Sequence, residues 1–323
     1  MNLLQKRDAG FAFYWVITMV LSCLPAQYRL KHALDGARVC ARLSLLMLSA
    51  TERRRITRNL ELILQKHCTT ADLSRTILSH YEMHSWNFIV NALLPRLSQS
   101  EIASFSEVRG LEHLMAAKAE GRGVVLLSAH IGAHAYTILA VLLAHGCPVT
   151  AVLGPELINE EDASWFYAKL IAPIRSSTRS LLPILERGAA SPADIGTPLL
   201  RNETVFILGD MHLTPKQVAQ ERHALPVPFL WGTASVRTGP LRLPKLYGSP
   251  VLPTFAVRKE DRVILEIERP LRLSPGKTRD DLIADLRAYL ERLEPRILYT
   301  PEQWEHLRHD NIPNWICAEQ KPS

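Results

Sequence analysis

The sequence predicts an α/β fold in which helices flank a mostly parallel central sheet, preceded by a helical N-terminal region. Three observations carry this. Residues 30–105 hold apolar side chains at three- and four-residue intervals, the period of an amphipathic helix. From residue 106 the rhythm changes to helix, glycine-containing turn and short apolar strand, an alternation that favours parallel strands. Near the end, "RDDLIADLRAYLERLEPRI" places Leu282, Leu286, Leu290 and Leu293 on one helical face.

The first element is "AGFAFYWVITMVLSCLPAQY", residues 9–28, which carries no formal charge and is rich in aromatic rings. Its length is borderline for a bilayer span, and Pro25 interrupts it. Aromatic enrichment suits the membrane interface, so residues 1–28 are read as an interfacial anchoring helix, with a true span or a buried core helix as alternatives. Residues 29–105 form a helical N-terminal region, seen in "GARVCARLSLLMLSA", "TERRRITRNLELILQKH" and "SRTILSHYEMHSWNFIVNALL". Residues 106–323 form the α/β core with its C-terminal helix, merged with the helical region into one domain.

Within that core, "GVVLLSA", "CPVTAVLG", "ETVFILGD", "SPVLPTFAVR" and "RVILEIERP" read as strands, with helices at 160–172 and 180–188. In an open α/β sheet the strand C-termini gather around the functional site. His130 and Asp210 each stand just beyond such an end.

The chain has 323 residues and a net charge of +6. Its pI is near 9.1. A basic surface suits an anionic membrane or an acidic carrier protein. Dispersed basic residues and the lack of a recognition motif disfavour nucleic acid. Cys23, Cys40, Cys68, Cys147 and Cys317 are scattered and odd in number, which fits a reducing compartment without a zinc knuckle. The HIGAH spacing lacks the glutamate of a zinc-binding HExxH helix and shows no third ligand nearby, so no metal is expected.

Several blocks in order resemble the bacterial lipid A late acyltransferases of the lysophospholipid acyltransferase superfamily. They are "RRRITRNLELIL", "EVRGLEHLMAAKAEGRGVVLLSAHIG", "VFILGDMHL", "VPFLWGTASVRTGPLRLPKLYGSPVLPTF" and "TPEQW". The resemblance implies a glycerolipid acyltransferase-like enzyme on the cytoplasmic face of a bacterial inner membrane. It would move an acyl group from a thioester on acyl carrier protein, or on CoA, to an amphiphilic acceptor without a further cofactor. His130 is then the general base, a task for which an imidazole of pKa near ~6.5 is well matched.

The family places an acid five positions after this histidine, but here that position is Ala135. As base, His130 is then oriented by a carboxylate from elsewhere, with Asp210 the first candidate and Glu156 the second, or by a backbone carbonyl. Alternatively, the protein binds carrier or lipid as a non-catalytic partner subunit, or the histidines bind metal.

Backbone N–H groups near the start of the following helix are expected to face the developing oxyanion, with Gly132 permitting close approach of substrate. His134, read as one helical turn from His130, is expected to hydrogen-bond it or touch substrate. Arg175 and Arg179 are candidates to hold a phosphate or polarise the thioester carbonyl. Phe229, Trp231 and Gly232 are expected to wall the acyl or acceptor pocket. Lys216 reads as a solvent-facing residue.

Overall fold

A computed structural model describes residues 3–65, 69–153, 165–186, 191–210 and 223–308. The N-terminal half is helical: α1 (Leu3–Ser22), α2 (Ala26–Met47), α3 (Ala50–Ile63), α4 (Thr70–Leu93) and α5 (Gln99–Ser104). Hydroxyl caps start several of these helices. Ser49 accepts from the Glu52 N–H, and Thr69 with Asp72 forms a reciprocal capping box before α4.

No helix among the described residues is long and apolar enough to cross a membrane. The apolar N-terminal stretch instead divides, α1 ending at Ser22 and α2 starting after Pro25. One face of α1 is core, with Tyr14 and Leu21 buried, while Phe13, Val16 and Val20 are exposed on another.

The sheet begins with β1 (Ser106–Arg109), followed by α6 (Leu111–Ala119), β2 (Val124–Ser128) and α7 (Ala135–Ala144). Next come β3 (Thr150–Leu153), α8 (Trp165–Leu181), β4 (Ile184–Glu186), α9 (Pro192–Leu200) and β5 (Thr204–Leu208). A hairpin of β6 (Ala224–Phe229) and β7 (Gly232–Arg237) leads to α10 (Gly239–Tyr247). The antiparallel pair β8 (Val251–Lys259) and β9 (Arg262–Ile267), then α11 (Arg279–Tyr299), complete the core.

Among the described residues, seven strands form one sheet in the order β1-β9-β8-β2-β5-β3-β4, parallel except where β8 meets β9. β6 and β7 pair only with each other.

The central strands β2 and β5 are apolar but for a terminal hydroxyl residue because both faces are covered. Val124 and Leu126 of β2 face a layer built from α1, α2, α4, α5, α7 and α8. Val125 and Leu127 face the opposite layer of α3, α11 and the β6–β7 hairpin. The leucine stripe of α11 packs there, with Leu286, Leu290 and Leu293 almost fully buried.

Two expectations are corrected. Residues 184–186, expected within a helix, are the edge strand β4, paired in parallel with β3. A three-residue stretch of Ile, Leu and Glu is too short to be assigned from period alone, and the sheet edge decides. The stretch "SEVR", not among the expected strands, forms β1 against β9.

Candidate active site

β2 and β5 are neighbours in register, with Ser128 opposite Leu208. Two residues past each lie His130 and Asp210. His130 Nδ1 is 2.7 Å from Asp210 Oδ1, and the His130 backbone N–H donates to Oδ2 at 2.8 Å. One carboxylate thus fixes both the ring and the backbone of the histidine.

Asp210 is buried, its side chain 3% exposed, whereas that of His130 is 17% exposed. Burial pushes the Asp210 carboxyl up, but His130 and His306 together outweigh it and hold the group well below the ordinary carboxylate range. An ionised carboxylate only accepts hydrogen bonds. The His130 proton therefore sits on Nδ1 and the lone pair on Nε2, the nitrogen that a general base would use.

The histidine loop is held from three sides. Asn87 of α4 donates from Nδ2 to the Gly132 carbonyl at 2.9 Å and accepts the His134 N–H at 3.1 Å. A C-terminal strap of two 3₁₀ turns, Pro301–Gln303 and Glu305–Arg308, crosses the loop. The Gly132 N–H donates to the Gln303 carbonyl at 2.8 Å, and the Glu305 N–H to that of His130 at 2.9 Å. From the sheet, Ala256 accepts the Ala133 N–H at 3.3 Å. Beneath, the buried Tyr289 hydroxyl donates to the Ser128 carbonyl at 2.6 Å. Burial and the nearby Asp210 raise the Tyr289 pKa well above normal, so it stays a donor.

This geometry takes the loop's own N–H groups out of the oxyanion expectation. The N–H groups of His130, Gly132, Ala133 and His134 all donate within the protein. Gly132 lies at φ +68°, and an added Cβ would sit 1.8 Å from the Ala256 carbonyl oxygen. Its missing side chain admits the protein's own strand β8.

His134 also does not share a helix turn with His130, because α7 starts only at Ala135 and His134 is its N-cap residue. Its ring stacks with Tyr136 at 5.5 Å between centroids. Ala135, where an acid was sought, is a buried helix residue.

Sequence reasoning missed His306. Its Nε2 is 3.3 Å from Asp210 Oδ2, and its ring centroid is 4.9 Å from that of His130. It follows "TPEQW", already singled out, but 176 residues separate it from His130 and no local spacing links the two.

His130, Asp210 and His306 bring nitrogen and oxygen atoms within 4.8 Å of one another, a spacing that would suit a cation. The 2.7 Å contact has hydrogen-bond length, and both Asp210 oxygens already accept N–H groups. His130 and Asp210 read as a hydrogen-bonded pair, with His306 Nε2 at 3.3 Å from Asp210 Oδ2.

The other expected residues are more scattered. Arg175 and Arg179 lie on α8, which packs against α1, α4 and α7. Phe229 is buried and meets Trp304 edge to face at 6.1 Å, joining the strap's support. Trp231 is 45% exposed and donates from Nε1 to the Ile63 carbonyl. In the β6–β7 turn it is Leu230, at φ +49°, that takes the left-handed conformation, and Gly232 opens β7. A separate, mainly apolar cavity of about 330 Å³ lies against α7 and α8, lined by Tyr136, Ala140, Leu143, Ile174 and Leu182 among others. Glu156 and Lys216 lie outside the described residues.

Residues 1–310 match the family model of bacterial lipid A biosynthesis acyltransferases. The chain belongs to this family. No curated protein matches it. Within this acyltransferase family the expected acid after the histidine is absent here, and Asp210 stands against His130 in space.

Proposed function

We propose that this family member is an active acyltransferase in which His130 is the general base and Asp210 its orienting carboxylate. It transfers an acyl group from a carrier-bound thioester to a hydroxyl of a lipid or glycolipid. The observation that carries this reading is the 2.7 Å His130–Asp210 contact, which supplies the carboxylate that Ala135 cannot.

The acceptor hydroxyl places its oxygen on the thioester carbonyl carbon while His130 Nε2 takes its proton. A tetrahedral oxyanion forms, and the new imidazolium is stabilised by Asp210, which remains ionised. Collapse breaks the carbon–sulfur bond. His130 returns the proton to the leaving sulfur, giving an ester and a thiol.

Support for a lipid acceptor comes from the exposed stripe of Phe13, Val16 and Val20 on α1, with Leu46 and Met47 at the end of α2. Apolar residues on a surface helix seat in the bilayer interface without spanning it. The net charge of +6 favours both an anionic membrane and an acidic carrier. The cavity beside α7 offers apolar space for an acyl chain, where each buried CH₂ contributes about 0.8 kcal/mol.

The test is a transfer assay with radiolabelled lauroyl-acyl carrier protein and a lipid A precursor. Wild type is expected to produce labelled lipid, and His130→Ala to lose the activity while keeping its fold. A wild type that binds the acylated carrier yet leaves a panel of carrier and CoA thioesters intact would favour the partner-subunit reading.

A further inference from the structure

We propose that His306 is a positioning residue for the His130–Asp210 pair, holding the Asp210 carboxylate by its second oxygen and moderating its basicity. The proposal rests on the reading of His130 as base.

Asp210 Oδ2 meets both the His130 backbone N–H at 2.8 Å and His306 Nε2 at 3.3 Å, while Oδ1 meets the His130 ring. Rotating the carboxylate would disturb all three contacts together. Because an ionised carboxylate only accepts, the His306 nitrogen facing it carries a hydrogen.

His306 is itself firmly placed. The Glu305 N–H before it donates to the His130 carbonyl at 2.9 Å. The Leu307 carbonyl after it accepts from Asn59 Nδ2 at 2.8 Å. Its ring lies edge to face on Trp304 at 5.6 Å, and the residue is only 4% exposed. An apolar ring would fill the same space without the cost of burying a polar one. What the imidazole adds is a polar nitrogen 3.3 Å from Asp210 Oδ2.

The consequence is electrostatic. A carboxylate facing only His130 would bind the imidazolium more strongly, and His130 would remain protonated to higher pH. The His306 nitrogen beside the same carboxylate shares its charge and weakens its hold on the imidazolium.

Two experiments on the full chain in detergent test this. Nitrogen-15 histidine NMR of the wild type should show His306 protonated at Nε2. A bare Nε2 lone pair there would overturn the proposal.

Kinetics with lauroyl-acyl carrier protein and a lipid A precursor form the second arm. His306→Phe should lower kcat about tenfold, leave the thioester KM within about twofold, and move the acidic limb of the kcat profile to higher pH. His306→Gln, whose amide NH₂ can replace the Nε2 donor, should recover most of the loss. A Phe variant with wild-type kcat and profile, or a Gln variant as impaired as Phe, would show that the ring only packs. If wild type is inert toward thioesters, the base reading fails, and the tautomer measurement alone decides the His306 contact.

Discussion

Ser128 and Leu208 stand side by side in the parallel ladder of β2 and β5, so the residues two steps beyond them, His130 and Asp210, meet above the same edge of the sheet. The acid that local sequence does not provide arrives through strand register. Asp210→Asn should therefore behave as a catalytic lesion. Its amide presents an N–H as well as an oxygen to the ring and can favour the wrong His130 tautomer. Turnover should fall by about 10²–10⁴ with little change in acceptor binding, as measured by kcat and KM separately. Ala135→Glu should not improve a site already oriented by Asp210. A gain in kcat from that substitution would contradict the assignment.

Asn87 ties α4 to the histidine loop through both ends of its amide. Asn87→Ala strands a carbonyl and an N–H, each worth about 1 kcal/mol in net hydrogen bonding, so chemical denaturation should show a loss of about 2 kcal/mol. Activity should fall further than stability, because the freed residues adjoin His130. Equal stability in the variant would mean that water replaces the amide without cost.

Gly132→Ala should be more severe. The substitution penalises a backbone at φ +68° by about 1–2 kcal/mol and drives a methyl into the Ala256 carbonyl. A marked drop in melting temperature with little residual transfer is the expected result.

Acid should weaken the fold through His80. Burial, aided by Arg308, lowers its pKa to about 4, while its Nδ1 faces the Glu302 carbonyl of the strap at 2.8 Å. The unfolded chain takes up this proton near pH 6.5 and the folded one only near 4. The contribution of neutral His80 is thus complete above pH 6.5 and is lost as pH falls toward 4. His80→Asn keeps a donor for Glu302 without titrating, and should flatten the stability loss across this window in denaturation curves taken at several pH values.

The membrane face can be tested without dismantling the core. Removing α1 altogether would take the buried Tyr14 and Leu21 out of the core, so polar replacement of Phe13, Val16 and Val20 is the cleaner experiment. The triple variant should keep its melting temperature and lose most of its flotation with anionic vesicles. Undiminished flotation would place membrane attachment elsewhere on the molecule.

Much of the architecture was legible in the sequence because periodicity reports burial. The leucines of α11 and the apolar run of β2 are patterned by the layers that cover them. His130 and Asp210 were legible as strand-end residues, but their pairing depends on which strands are neighbours. β4 is too short to carry a period of its own, and β1 is defined by its partner β9. Gly132 was legible as special, while the object it makes room for, the Ala256 backbone, lies 124 residues away. His306 had no local signal, since an isolated histidine after a tryptophan acquires meaning only when the strap crosses the loop.

That crossing also sets a schedule during biosynthesis. At about 5–20 residues per second, His306 leaves the ribosome roughly 10–35 s after His130. α1 is made long before either, so the nascent chain can settle on a lipid surface while its site still lacks one histidine. On the membrane-contact reading proposed above, lipid binding by α1 would precede completion of the site, which waits for the 3₁₀ turn Glu305–Arg308.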